Sequence, residues 1–280
     1  MTESTIAVEL GPAQTTLLIP LLGRAEETRK RNGMINDPLA VKVVEELDFD
    51  FSRWAKAKSL AAAVFRTRMY DQMVAEFLQA HPSGTVVEIG CGLNTRFDRL
   101  DNGQVQWFDL DLPDVMALRR RYVQDQPRCT MLTASVVDTD WHDEVLSTGG
   151  PWCFISEAVI IYLDNELAEQ SIEQIAKAFP GAWIITDTTS TAMVHTQGQH
   201  DAMKHLPEEC WFQWACDEPK QLESLGLTLV ESNTFMDADP ELIAQLPLTM
   251  RWMIRVFPNW MRSRVEGYRI NRLVARSANA

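Results

Sequence analysis

Residues 86–96, Val-Val-Glu-Ile-Gly-Cys-Gly-Leu-Asn-Thr-Arg, place two glycines one residue apart after an apolar run that carries Glu88. Gly90 and Gly92 lack a Cβ, so they take positive φ readily and let a ligand approach the backbone. A strand running into such a turn and then a helix leaves N–H groups unpaired beside a nucleotide-like ligand. A nicotinamide fingerprint would read G-x-G-x-x-G, but Thr95 stands where the third glycine belongs. That glycine permits close helix–strand packing beside a pyrophosphate, so its absence disfavours a dinucleotide. No G-x-x-x-x-G-K-[ST] occurs, which disfavours Walker-type phosphate binding. A nucleoside cofactor without a phosphate needs only the tight turn.

The next apolar run ends Trp107-Phe108-Asp109-Leu110-Asp111-Leu112-Pro113. A carboxylate at the end of a second strand reaches ribose hydroxyls, about 20 residues after the glycines. Alternation puts Asp109 and Asp111 on one side; Asp111, nearer the strand end, is the better candidate. No metal is expected, because the five histidines form no His-Glu-x-x-His pair and the cysteines no C-x-x-C. Cys91, Cys129, Cys153, Cys210 and Cys216 are odd in number, which argues against a disulfide framework.

These residues need elements to hold them. Thr85 to Ile89, Val105 to Leu110, Thr130 to Ala134, Trp152 to Ser156 and Ala182 to Thr186 read as strands separated by helices. Repeated βα units predict an α/β fold, a doubly wound, mostly parallel sheet with helices on both faces and a helical cap. Leu227 to Val230 and Tyr268 to Ala275 add two strands. Residues 1–80 read as an N-terminal helical cap that includes a helix from Pro38, capped by Asp37, and a long amphipathic helix over Ser59 to Ala80. Residues 85–187 form the cofactor-binding core, and 188–220 and 236–265 are helical cap insertions. The first is too long for an ordinary connection of about 2–6 residues. The whole reads as one domain, 1–280.

The 280 residues carry 26 basic and 39 acidic side chains, a formal charge of −13. Such a surface disfavours nucleic acid and anionic membranes. No apolar run approaches the ~20 residues of a membrane span, and the first ten residues have neither a basic start nor a long apolar stretch. A cytoplasmic monomer or homodimer acting on a small molecule is expected.

With these residues in view, the chain resembles the leucine carboxyl methyltransferase family and, within it, the bacterial branch of tetracenomycin-type polyketide O-methyltransferases. The matching segments are Ile19-Pro-Leu-Leu-Gly-Arg-Ala25, Asp37-Pro-Leu-Ala40, Phe65-Arg-Thr-Arg68, residues 87–96, residues 108–114 and Ser156-Glu-Ala-Val-Ile-Ile-Tyr-Leu163. The resemblance implies a class I methyltransferase-like fold and S-adenosyl-L-methionine as cofactor. It implies that Glu88, Gly90 and Gly92 form the cofactor turn, Asp111 holds the ribose, and Arg66 binds the cofactor's carboxylate. Glu157 would lie near the cofactor's amino-acid end, and Arg24 would grip cofactor or acceptor. Tyr162 would face the methyl-transfer space as the catalytic residue. Where the protein-methylating enzymes carry Asp-Leu against adenine, this chain has Ser135-Val136, with Asp138 as a substitute. That departure argues against a protein acceptor.

The implied activity is methyl transfer to a carboxylate or phenolic oxygen of a small aromatic or polyketide-like acceptor. A carboxylate is ionised at neutral pH and needs no base, whereas a phenol of pKa ~10 does. His195, His200 and His205 lie in the first insertion, and none is marked out as that base. Trp211 and Trp214, with Met193, Met203, Phe212, Met250, Trp252, Met253, Phe257 and Trp260, are candidate walls for a flat apolar substrate, and Arg251, with Arg255 at i, i+4, is a candidate cation for an acidic one. The alternatives are a protein C-terminal carboxyl methyltransferase and a non-catalytic cofactor-binding scaffold or sensor.

Overall fold

The computed structural model describes residues 6–277; residues 1–5 and 278–280 of the expected 1–280 unit lie outside the described residues. The chain runs β1 (Ile6–Ala7), α1 (Leu18–Thr28), α2 (Pro38–Glu46), β2 (Leu47–Asp48) and α3 (Ser59–Ala80) before the main sheet begins. Asp37 caps α2, its Oδ1 accepting the Ala40 N–H at 3.0 Å, with Pro38 at the first helical position. α3 ends at the His81-Pro82 turn, as its sequence predicts.

Then come β3 (Thr85–Ile89), α4 (Arg96–Leu100), β4 (Gln106–Asp111), α5 (Pro113–Arg119), β5 (Cys129–Thr133), α6 (His142–Leu146), β6 (Trp152–Ser156), α7 (Asn165–Ala178) and β7 (Trp183–Thr189). The chain closes with α8 (Thr191–Thr196), β8 (Leu227–Asn233), α9 (Pro240–Ile243), α10 (Leu248–Val256), α11 (Pro258–Val265) and β9 (Tyr268–Ala275). The seven-stranded sheet has the order β5-β4-β3-β6-β7-β9-β8. β9 is antiparallel to both neighbours and every other pairing is parallel. The winding reverses between β3 and β6, and ligands of such sheets bind beyond the carboxyl ends of the strands at that point. All five β3 residues are buried, as a strand covered on both faces requires.

One apolar core packs α3 and α7 against the sheet. A second joins α1, α2 and Trp54 to Leu93, Leu118 and the segment Ala202, Met203, Leu206, Cys210. The N-terminal helices and the β7–β8 connection thus share one cap core. Trp54 Nε1 also donates to the Ala202 carbonyl at 3.2 Å.

Three features depart from the sequence reading. The insertion expected to be helical over 188–220 begins inside β7 and holds only α8, followed by short 3-10 turns. Pro207 and Pro219 interrupt any longer helix there. The parallel pair β1–β2 and the helix α6 have no sequence signal strong enough to announce them. No described helix is long and apolar enough to cross a membrane.

Candidate active site

A cavity of about 470 Å³ opens beyond the ends of β3, β4 and β6. Its floor is the glycine turn, where Gly90 and Gly92 stand at φ 63° and 52°. A Cβ on Gly90 would lie 2.3 Å from Val159 Cγ2, so glycine is required there for space as well as torsion. Asp111 anchors the turn from β4. Its Oδ2 accepts the Gly92 N–H at 2.7 Å and its Oδ1 the Leu112 N–H at 2.8 Å. Asp111 lines the cavity, and each of its oxygens has lone-pair capacity beyond these bonds. Burial outweighs these bonds and pushes the Asp111 carboxyl up to about 6.

Asp109 has a different task. It is buried, pairs with Arg119, and accepts the Trp107 Nε1–H at 3.0 Å. Arg119 also donates to the Gly92 and Asn94 carbonyls at 3.0 and 2.7 Å, bracing the turn from below. Glu88 likewise supports the turn while lining the cavity, accepting from Asn94 Nδ2 at 2.9 Å and from Arg96. Burial raises the Glu88 carboxyl to about 7 against the pull of Arg96.

Across β3 from Asp111, Glu157 follows the end of β6. Its Oε1 accepts Arg66 Nε at 2.9 Å and Thr67 Oγ1 at 2.8 Å, and its Oε2 accepts from Arg96. Burial works against this carboxylate, yet the guanidiniums of Arg66 and Arg96 hold its pKa down at about 2. Arg66 comes from α3, lines the cavity, and donates Nη1 to the Tyr268 hydroxyl at 3.3 Å. Its Nη2 makes no hydrogen bond among the described residues. Arg96, fully buried, ties Glu88, Asp71 and Glu157 together. Sequence reasoning missed Arg96 and Arg119; each lies in or beside a segment already singled out, but nothing local distinguishes a buried arginine from a surface one.

The remaining candidates divide by position. Ser135 and Val136 line the cavity beside Leu112 and Val115. Asp138 does not line it and instead accepts the Ser135 N–H at 3.3 Å. Tyr162 lines it edge-on to Phe212, and burial raises its hydroxyl to about 12, so it keeps its proton. His200 also faces the cavity; its Nδ1 accepts the Ala202 and Met203 N–H groups at 3.4 Å, which places the ring proton on Nε2. Arg24 lines the cavity too, giving Nε to Asp37 at 2.8 Å and Nη2 to the Leu93 carbonyl at 2.7 Å, so it joins the α2 cap to the glycine turn. Its Nη1 makes no hydrogen bond among the described residues.

Trp211, Trp214 and Arg251 are a correction, since none lines the cavity. Trp214 is 1% exposed in the main core, Trp211 packs its ring against Gly198, and Arg251 projects into solvent from α10. Of the expected walls, Met193, Met203 and Phe212 do line it, while Trp252, Phe257 and Trp260 are largely exposed. No cluster suited to a metal ion occurs among the described residues.

Residues 18–176 match the model of the leucine carboxyl methyltransferase family. The chain belongs to that family. It is similar to the tetracenomycin polyketide synthesis O-methyltransferase TcmP of Streptomyces glaucescens, 28% identical over 82% of this chain and 86% of that one. It is also 25% identical to the S-adenosyl-L-methionine-dependent methyltransferase dpfgK of Gibberella zeae, over 78% of this chain and 80% of that one. Among solved structures, a putative methyltransferase from Thermobifida fusca superposes with a TM-score of 0.60 at 16% identity, covering 95% of this chain and 96% of that one. A duf574 family protein from Streptomyces avermitilis superposes at 0.58 and 11% identity, covering 99% of both. The latter two establish the fold. This family member is an S-adenosylmethionine-dependent methyltransferase with a mostly parallel, methyltransferase-like sheet.

Proposed function

We propose that the chain methylates an oxygen of a small, largely apolar acceptor, a carboxylic acid or phenol of aromatic or polyketide type. The observation that carries this reading is a single cavity with distinct linings. A carboxylate with spare lone pairs stands on the β4 side of the glycine turn, and a guanidinium on the β6 side. Beyond them the wall is apolar, with Leu17, Ile19, Met193, Met203, Phe212 and Phe235.

When bound, S-adenosylmethionine supplies a methyl group activated on a sulfonium. Asp111 accepts hydrogen bonds from ribose hydroxyls, and Arg66 grips the amino-acid carboxylate through donors that Glu157 does not use. Ser135 and Val136 border the adenine. Glu88, Arg96 and Arg119 hold the turn still, which matters because a misplaced nucleophile loses most of the benefit of alignment. Tyr162 and His200 retain protons at the cavity, so they suit hydrogen bonding to an acceptor oxygen. A carboxylate acceptor needs no more than that, being ionised at neutral pH.

The similarity to the polyketide O-methyltransferase supports the acceptor class. Titration calorimetry with S-adenosylmethionine and S-adenosylhomocysteine tests the cofactor half, and the absence of heat at millimolar ligand would sink it. Methyl-labelled cofactor offered to a panel of aromatic acids and phenols tests the other half. Label appearing only in protein from a lysate would replace this reading with the protein-carboxyl alternative.

A further inference from the structure

Arg66 and the turn after β6 are both tied to a residue that does not touch the cavity. Arg66 Nη1 donates to the Tyr268 hydroxyl at 3.3 Å, and that hydroxyl donates to Asp187 Oδ2. The same Asp187 oxygen accepts the Ala158 N–H at 2.7 Å. One carboxylate on β7 therefore gathers groups from α3, β9 and the β6 turn. Ala158 stands at φ 54°, in the left-handed region that side-chain-bearing residues rarely enter. Such a conformation persists where the surroundings enforce it, and here the enforcing contact is Asp187.

Asp187 is fully buried and its Oδ1 has no partner among the described residues. Burial pushes its carboxyl up to about 6 despite the nearby Arg66. Tyr268 has its ring on the cavity wall beside Phe235 and its hydroxyl turned to Asp187 and Arg66.

We propose that Asp187 and Tyr268 are positioning residues for the amino-acid end of the cofactor, fixing the Arg66 guanidinium against the Glu157–Ala158 turn. This rests on the reading that Arg66 binds the cofactor's carboxylate. Neither residue is signalled by the glycine motif; the pair exists because β7 and β9 are antiparallel neighbours, with Asp187 opposite Ile270 and Thr189 opposite Tyr268.

S-adenosylhomocysteine and 5′-methylthioadenosine share the nucleoside and thioether, and only the first carries the amino-acid end. Calorimetry with both ligands separates a loss at that end from a general loss. Tyr268→Phe is expected to weaken S-adenosylhomocysteine by about tenfold while methylthioadenosine stays within about twofold, a difference of roughly one charge-assisted hydrogen bond. Asp187→Asn keeps the side-chain shape and is expected to act in the same direction, so it carries the test if Tyr268→Phe does not fold. The KM for S-adenosylmethionine should rise with kcat little changed. Equal weakening of both ligands, or no weakening of either, overturns the proposal. Arg66→Ala serves as the reference: if it leaves the ratio of the two affinities at the wild-type value, the assignment of Arg66 itself has failed, and the proposal falls with it.

Discussion

Asp111, buried, and Glu157, half-buried, stand on either side of β3, two carboxylates of one cavity with opposite surroundings. Asp111 receives two backbone N–H groups and no direct ion pair among the described residues, and burial lifts it to about 6. Glu157 receives two guanidiniums and a hydroxyl, and they hold it at about 2. The β4 side is left incomplete by the protein, so a ligand hydroxyl has a lone pair to bind and a desolvated carboxylate to relieve. The β6 side is complete, so its rigidity is set before any ligand arrives. In the proposed function the first is a binding group held at a cost in stability, and the second is structural framework on which the proposed binding group, Arg66, is mounted.

The strongest way to break this contrast is to remove Glu157. Glu157→Ala leaves Arg66 without its carboxylate and takes one of three from Arg96, and is expected to lower unfolding stability by about 3 kcal/mol in urea titrations. A loss below about 1 kcal/mol would show that the pair is not framework. Asp111→Asn tests the other side in the ligand-free protein. A carboxyl raised from 3.8 to about 6 costs roughly 3 kcal/mol at neutral pH. The amide removes that titration, although it can accept only one of the Gly92 and Leu112 N–H groups, so the stability that the wild type loses between about pH 4 and 7 should shrink in the variant by about that amount; an unchanged pH dependence contradicts the reading. In the same variant series, Asp111→Ala and Arg66→Ala are each expected to weaken S-adenosylmethionine by ~1–3 kcal/mol. Unchanged affinity in both would mean that the cofactor sits elsewhere.

The two sides should also separate by pH. For Asp111 the folded pKa lies above the unfolded one, so its penalty is absent below 3.8 and complete above about 6. For Glu157 the folded pKa lies below, so its contribution is complete above 4.5 and lost as pH falls through about 2. Cofactor affinity is therefore expected to decline below about pH 6 as Asp111 takes a proton, by an amount that Asp111→Asn abolishes. A decline of the same size in that variant assigns it to another group. The smallest effect belongs to the exposed face of α10. Arg251→Ala and Trp252→Ser are expected to change stability and cofactor affinity by no more than about 0.5 kcal/mol. A larger loss of activity would return that face to the acceptor site.

Local signals were informative where the chemistry is local. The glycine turn, the strand before it and the Asp111 spacing are readable because a tight turn and a strand end need particular residues at particular offsets. The boundaries of α3, β3, β6 and β9 were legible for the same reason, since prolines, glycines and apolar runs mark them. The cap misled. Trp214 and Trp252 look alike in sequence, yet one is 1% exposed in the core and the other 58% exposed on α10. Aromatic composition cannot separate a core wall from a surface, because both bury or expose a ring according to what packs beside it.

Sequence alone determined the strand–turn–helix with Gly90, Gly92 and Asp111 and pointed to it as the candidate seat of a nucleoside-bearing cofactor. These residues act through their own backbone torsions and strand positions. Tertiary structure alone decided which charges are spent. Asp109 is consumed by Arg119 and Arg96 by three carboxylates, whereas Arg66 and Asp111 keep donors and lone pairs at the cavity. An ion pair between residues distant in the chain is created by packing, so no spacing in the sequence can record it.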